Sequence, residues 1–248
     1  MKAEFLSVII PAYNESPRIE RNLEQVAAYL SAKFSAFEII VVDDGSTDET
    51  SQRVAPAAQK EPRIRLVSLP ANRGKGFAVR QGMAAAKGDV VCFMDADLST
   101  PVEEIEVGAN ALQESSPVVI ASRQHPDSVI TLHQGRLREN IGKSFNRFAR
   151  MLLALAFEDT QCGFKCFTRE AAHAIFARAR IDGFAFDVEL LVIARRLGYR
   201  VREIPVNWSN SPDSKVKPAR DLPRVVRDLL KIYANERRGI YGAHRQDD

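Results

Sequence analysis

Val90-Val91-Cys92-Phe93-Met94-Asp95-Ala96-Asp97 is a short apolar run that stops in two aspartates one residue apart. The run reads as a buried strand, Val90–Met94. Downstream, Thr100, Pro101 and Glu103 supply a capped start for a helix ending near Glu114. Upstream, a helical pattern covers about 76–87, preceded by a strand at Ile64–Ser68. Further out, Phe5–Ile10 and Phe37–Val42 are apolar runs of strand length. Between them Ile19, Leu23, Val26, Ala27 and Leu30 recur at helical spacing, with Ser16 as cap and Pro17 at the first position. Ser46 and Glu49 have the spacing of a capping box for a helix to about Gln59, and Val118–Ala121 closes the series. Strands alternating with helices predict an α/β fold, a mostly parallel central sheet with helices on both faces.

In such sheets ligands sit at the carboxyl ends of the strands. Three polar clusters fall there: Pro11-Ala12-Tyr13-Asn14-Glu15, Asp43-Asp44-Gly45-Ser46 and Asp95-Ala96-Asp97-Leu98. Together they make an acidic crevice. Asp95 and Asp97 repel each other and stay ionised at neutral pH only beside a counter-cation. A hard divalent ion, Mg²⁺ or Mn²⁺, held by these carboxylates and by substrate phosphates meets that need.

Residues 123–248 differ in character. Residues 134–157 read as a basic helix, followed by a strand-like stretch near Gly163–Phe167 and helices at about 168–179 and 187–197. Arg200–Val206 alternates as a strand, and an amphipathic helix covers about 219–235. No linker parts the chain, so residues 1–248 are expected to form one domain. Within it, residues 1–122 carry 12 Lys+Arg against 17 Asp+Glu, and residues 123–248 carry 23 against 15. The acidic half suits a metal, the basic half an anionic acceptor or surface.

Composition closes other routes. The three cysteines, Cys92, Cys162 and Cys166, read as free thiols; Cys162 and Cys166 lack the second pair or histidine of a zinc site. No stretch reaches the ~18–20 apolar residues of a membrane span. The protein is expected to be cytoplasmic, at most peripheral on the cytoplasmic membrane face. No G-x-G-x-x-G follows the first strand, and Gly74-Lys75 lacks the rest of a P-loop. His125, His133, His173 and His244 are dispersed. The basic helices lack the interleaved exposed aromatics of a nucleic-acid binder, so no nucleic acid is expected.

Val8-Ile9-Ile10-Pro11-Ala12-Tyr13-Asn14-Glu15, Val41-Val42-Asp43-Asp44-Gly45-Ser46-Thr47-Asp48 and Asp95-Ala96-Asp97 resemble the inverting family 2 glycosyltransferases of the GT-A fold. Asn72-Arg73-Gly74-Lys75-Gly76 resembles the corresponding segment of the polyprenyl-phosphate sugar transferases. Asp159-Thr160-Gln161-Cys162-Gly163-Phe164-Lys165 and Phe186-Asp187-Val188-Glu189-Leu190-Leu191 are similar to segments of the dolichyl-phosphate β-glucosyltransferases. The resemblance covers about residues 5–235.

It implies transfer of a hexose, glucose from UDP-glucose in the first instance, to dolichyl or another polyprenyl phosphate. Pro11, Tyr13 and Glu15 would line the base and ribose pocket, and Asp43 would hydrogen-bond the base. Ala12, Asp44, Lys75 and Ala96, inside the same motifs, go with the donor. Asp95 and Asp97 would hold the metal, with Asp97 also counted as catalytic. Arg123 would sit near the phosphates, with Lys215 closing over the donor diphosphate. Arg136 or Arg138 would receive the acceptor phosphate, beside Lys143 and Gln161; Arg138 and Asp159 complete the catalytic set. Ser99 stands where mannosyl-transferring relatives often have a glutamine, which leaves the third protein ligand open and favours the glucosyl branch. Glucosyl relatives often carry an N-terminal membrane helix that this sequence lacks, so recruitment to lipid is expected to work differently.

A phosphate acceptor, with a second pKa of about 6, is already largely dianionic near neutral pH. It needs cations more than a strong base, so Asp159 serves either to orient the acceptor or as a base. The helix over 139–157 has an apolar stripe of Ile141, Phe145, Phe148, Met151, Leu152 and Leu155 beside Lys143, Arg147 and Arg150. Arg220, Arg224, Arg227 and Lys231 repeat the scheme opposite Val226, Leu229, Leu230 and Tyr233 near the end. Each is either packed on the core or laid against anionic lipid. Three rivals stay open: a mannosyltransferase using GDP-mannose, a family 2 transferase with a soluble acceptor, and a non-catalytic nucleotide-sugar binding module.

Overall fold

The computed structural model of the protein describes residues 4–132, 135–211 and 218–242, with backbone alone at 136–138, 140 and 218–221. Five strands come from the first half: β1 (Leu6–Ala12), β2 (Phe37–Asp43), β3 (Ile64–Ser68), β4 (Val90–Phe93) and β5 (Val118–Ser122). The helices α1 (Ile19–Lys33), α2 (Thr50–Lys60), α3 (Lys75–Ala85) and α4 (Glu104–Ala111) connect them. The second half adds β6 (Val129–Leu132), α5 (Arg136–Leu153), β7 (Lys165–Thr168), α6 (Arg169–Phe176), α7 (Phe186–Arg196), β8 (Val201–Pro205), β9 (Asn207–Ser209) and α8 (Pro218–Arg237).

Seven strands form one sheet in the order β3-β2-β1-β4-β7-β5-β8. All pairings are parallel except those of β7, which runs antiparallel to both β4 and β5. A strand from the second half therefore sits between two strands of the first. β1 and β2 are mostly apolar because helices cover both faces, as parallel strands require, and the buried Ser7 and Glu38 are paired with each other at 2.6 Å. Val8, Ile10, Ile39 and Val41 point into the core shared with α1. Ile9, Ile40 and Val42, one residue out of phase, pack with Ala78 and Val79 of α3 on the opposite face.

Four expectations need correction. Ser16 does not cap α1, which begins at Ile19 after a turn closed by the Ile19 amide on the Glu15 carbonyl. Ser46 and Glu49 form no capping box. The Ser46 hydroxyl accepts the Asn14 amide at 2.9 Å and Glu49 pairs with Arg53, while the Asp48 carboxylate takes the Thr50 amide at 3.0 Å. No side-chain cap holds α4, which starts at Glu104 and ends at Ala111. Cys92 and Cys166 are not free thiols: β7 places them directly opposite one another, Cα atoms 4.1 Å apart, and they form a disulfide. Cys162 is free and buried. The small parallel sheet of β6 and β9 had no counterpart in the sequence reading. Among the described residues no helix is long and apolar enough to cross a membrane.

Candidate active site

The chain after β1, β2 and β4 turns sharply, and each turn delivers a carboxylate or ring to the same sheet edge. After β4 the turn is tight: the Leu98 amide donates to the Asp95 carbonyl, and the Ser99 amide donates to the Asp97 carboxylate at 3.0 Å. Leu98 takes a left-handed conformation, φ 52°, at a cost of about 1–2 kcal/mol for a non-glycine residue. That strained turn aims Asp97 back across the strand end. Asn22 of α1 braces it by donating to the Ala96 carbonyl at 2.9 Å.

These turns border a cavity of about 580 Å³. Of the residues expected to bind donor or metal, Pro11, Ala12, Tyr13, Glu15, Asp44, Lys75, Asp95, Ala96 and Asp97 line it together. Asp43 and Arg123 do not. Asp43 accepts from the Ser46 amide at 2.9 Å and from the Ser51 hydroxyl, so it shapes the turn after β2. Asp44 accepts from Asn72, from the Arg73 amide and from the Gly74 amide, at 2.7 to 2.9 Å. It thereby fastens the segment that carries Lys75. Gly74 has φ +113°, and a Cβ there would meet the Asp182 carbonyl at 2.5 Å.

The charge around Asp95 is ordered. The Lys75 ammonium lies 2.5 Å from one Asp95 oxygen. The other oxygen faces Gly163 so closely that a Cβ on that glycine would sit 2.0 Å from it. Burial and then the neighbouring Asp95 push the Asp97 carboxyl above the usual range. Burial works to lower Lys75, but Asp95, Asp187 and Asp97 outweigh it and hold the ammonium above its ordinary value. Asp187, at the start of α7, is itself bridged at 2.6 Å by the fully buried Lys165 of β7. Two close carboxylates with hard oxygens, one of them raised by the other, fit a divalent cation.

A second knot lies beside this one. Arg123 grips Asp159 through two nitrogens, at 2.6 and 2.9 Å, and its guanidinium lies 5.5 Å from the centre of the Trp208 ring. The backbone amides of Arg123 and Gln161 also donate to Asp159. Burial would raise Asp159, yet the Arg123 charge and these hydrogen bonds bring it down to about 2. A carboxylate held so low is a poor base. Asn146 of α5 accepts the Thr160 amide and hydroxyl, at 3.3 and 2.8 Å, tying α5 to the same loop. Lys143 is exposed and pairs with Glu139 at 2.7 Å. The Arg136 and Arg138 side chains and Lys215 lie outside the described residues.

Two groups of residues line the cavity that the sequence did not place there. The loop Arg180, Ile181, Asp182, Gly183 and Phe184 forms one wall, and Arg224, Arg227, Asp228 and Lys231 of α8 form another. Glu189 of α7 fixes the loop by accepting the Arg180 and Ile181 amides at 2.8 to 3.0 Å and the Tyr241 hydroxyl at 2.7 Å. The spacing Phe186-Asp187-Val188-Glu189 therefore has two jobs. Asp187 serves the lysines, and Glu189 serves the loop.

A parallel sheet with one reversed inner strand and an aspartate pair at the edge of a cavity defines a GT-A glycosyltransferase. The solved glucosyl-3-phosphoglycerate synthase of Mycobacterium tuberculosis, in complex with Mn²⁺, UDP and glucosyl-3-phosphoglycerate, shares the fold. Its TM-score is 0.68 at 24% identity, over 94% of this chain and 79% of that one. The chain belongs to glycosyl transferase family 2, whose sequence pattern matches residues 7–176. It is 36% identical to the human dolichyl-phosphate beta-glucosyltransferase, over 92% of this chain and 74% of that protein. The enzymes of the same name from Dictyostelium discoideum and Saccharomyces cerevisiae are 35% and 34% identical; each alignment spans 96% of this chain and 76% of the relative.

Proposed function

We propose that the protein transfers glucose, with inversion, from UDP-glucose to dolichyl phosphate or another polyprenyl phosphate, with Mg²⁺ or Mn²⁺ held by Asp95 and Asp97. The observation that carries this reading is the agreement of relatives at 33–36% identity, aligned over 92–97% of the chain, on one name, dolichyl-phosphate β-glucosyltransferase. The cavity supports it. Pro11, Ala12, Tyr13, Glu15 and Asp44 would seat the nucleoside, and Lys75, at the start of α3, would meet the diphosphate. A divalent cation at the aspartate pair would offset the charge on the departing diphosphate.

The chain's own groups account for the rest. An acceptor phosphate is largely dianionic at neutral pH and needs no proton taken from it. Asp159, locked on Arg123 and held at about 2, orients rather than abstracts. By fixing Arg123 and the loop 158–161 it sets the floor on which the acceptor approaches, with Gln161 on that loop. The acceptor phosphate falls to Arg136 or Arg138 at the start of α5, with Lys143 further along the same helix. Residues 1–248 act as one GT-A unit in this reading. Lipid is reached by peripheral contact through α5 and α8, which pack against each other, from the cytoplasmic side of the membrane.

The test is transfer of labelled sugar to a short polyprenyl phosphate, with UDP-glucose and GDP-mannose compared side by side. The expected result is product from UDP-glucose that disappears with chelator. Product from GDP-mannose alone would overturn the sugar and keep the acceptor. Product from neither would return the soluble-acceptor reading.

A further inference from the structure

We infer that Lys75 is an internal counter-cation that competes with the divalent metal for Asp95, so that the metal binds tightly only once a nucleoside diphosphate has drawn Lys75 away. This deepens the reading just given and rests on its assignment of Asp95 and Asp97 as metal ligands.

The argument is one of occupancy. Asp95 has two oxygens. One lies 2.5 Å from the Lys75 ammonium, and the other is confined by Gly163, where the absence of a side chain is what leaves it room. A cation coordinated by Asp95 at about 2.0–2.1 Å must share or displace that ammonium, because two positive charges on one carboxylate repel. Lys75 is well placed to wait there. It stands at the first position of α3, and Asp44 holds the preceding residues through two backbone amides. Its ammonium lies 5.9 Å from the centre of the Phe186 ring. A lysine head is a compact charge on a flexible stem, able to swing without moving the helix.

It also has somewhere to go. The cavity that Lys75 lines is the one bordered by Tyr13, Glu15 and Asp44, where a nucleoside diphosphate carries its negative charge towards Asp95 and Asp97. In that state the ammonium exchanges a carboxylate for a phosphate oxygen, and the vacated Asp95 oxygen becomes available to the metal. Metal and nucleotide would then bind with positive coupling, each tightening the other by the same factor, as linkage requires. The lysine adds to the coupling that the phosphates' own contact with the ion provides.

The experiment measures Mn²⁺ binding to the full chain by the electron paramagnetic resonance signal of the free ion, with and without UDP. The chains are wild type, Lys75→Met, Lys75→Arg and Asp97→Asn, each checked for folding by circular dichroism. Wild type is expected to bind Mn²⁺ weakly alone and about tenfold or more tightly with UDP. Lys75→Met is expected to bind Mn²⁺ alone about tenfold more tightly than wild type, with the UDP effect reduced to what the phosphates' own contact with the ion gives; Lys75→Arg keeps the charge and should resemble wild type. If Lys75→Met binds Mn²⁺ alone no better than wild type while Asp97→Asn loses it, the competition is refuted and the metal site stands. If Asp97→Asn binds Mn²⁺ as well as wild type, the metal assignment itself falls. Should Lys75→Met not fold, Lys75→Gln takes its place with the same expected outcomes.

Discussion

At the scale of single residues, Asp159 shows how much a position's meaning depends on what surrounds it. In the sequence it is one aspartate ahead of a threonine, open to the roles of base and orienting group. In the structure Arg123, two backbone amides and burial hold it as a carboxylate, which supports the orienting role proposed above. Its folded value of about 2 lies below the ordinary 3.8, so its contribution to stability is present above the ordinary carboxylate range. That contribution is lost as pH falls through about 2. Replacing it with asparagine leaves Arg123 without its partner and should destabilise the fold by about 2 kcal/mol at pH 7, a value reduced because the arginine is 30% exposed. Urea unfolding at pH 7 and at pH 3 checks both points. The gap between wild type and Asp159→Asn should narrow at the lower pH. A gap of equal size at both would mean that the charge is not what matters.

At the scale of elements, the strands were legible and their ends were not. Apolar runs, broken only by Ser7 and Glu38, mark β1, β2 and β4 because those strands are covered on both faces. The helix starts misled because their caps are not local. The Ser46 hydroxyl, spaced for a capping box, is taken by Asn14 from 32 residues away. β6 and β9 were missed because they are short, at four and three residues, and mostly not buried. The aspartate pair at the sheet edge could be read from residue type and strand position. The 180–184 wall could not, because its link to the cavity runs through Glu189, which reads as one more charge on a helix. Since that carboxylate gathers Arg180, Ile181 and Tyr241, losing the tyrosine hydroxyl should loosen the wall. Tyr241→Phe is expected to raise the KM for the nucleotide sugar roughly fivefold, at about 1 kcal/mol for the hydrogen bond, with kcat little changed. Steady-state kinetics on the purified variant decides; a fall in kcat at constant KM would place the effect elsewhere.

At the scale of the whole molecule, α5 and α8 form a face whose chemistry is split. Phe145, Ala149 and Leu153 of α5 and Leu229 and Ile232 of α8 are buried, so part of the apolar stripe belongs to the core. Phe148 and Met151 stay exposed, at 43% and 75%, as do Leu222 and Leu230. Arg224, Arg227 and Lys231, a basic stripe that the sequence left open between core packing and lipid contact, line the cavity. What remains outward is a modest apolar patch beside Lys143 and Arg147, suited to shallow contact with an anionic bilayer. Sedimentation with phosphatidylserine vesicles at low salt tests this. Phe148→Glu with Met151→Glu should weaken binding about tenfold and leave turnover of a short, water-soluble polyprenyl phosphate unchanged. Binding unaffected by the double change would move the lipid contact off this face.

The reversed strand in the middle of the sheet has a consequence for the order in which the protein can be made. β4 and β5 emerge early in synthesis but do not touch each other; the gap between them is filled by β7, which follows β5 by more than forty residues. Until it arrives, the nascent chain carries a raw edge on β4 and a β5 with no partner at all, since its other neighbour, β8, comes later still; both are templates for wrong pairing. The aspartates at the end of β4 then have no Gly163 beside them and no Lys165–Asp187 bridge beneath. The half that reads as a ready-made nucleotide binder thus stays unfinished until the acceptor half has left the ribosome.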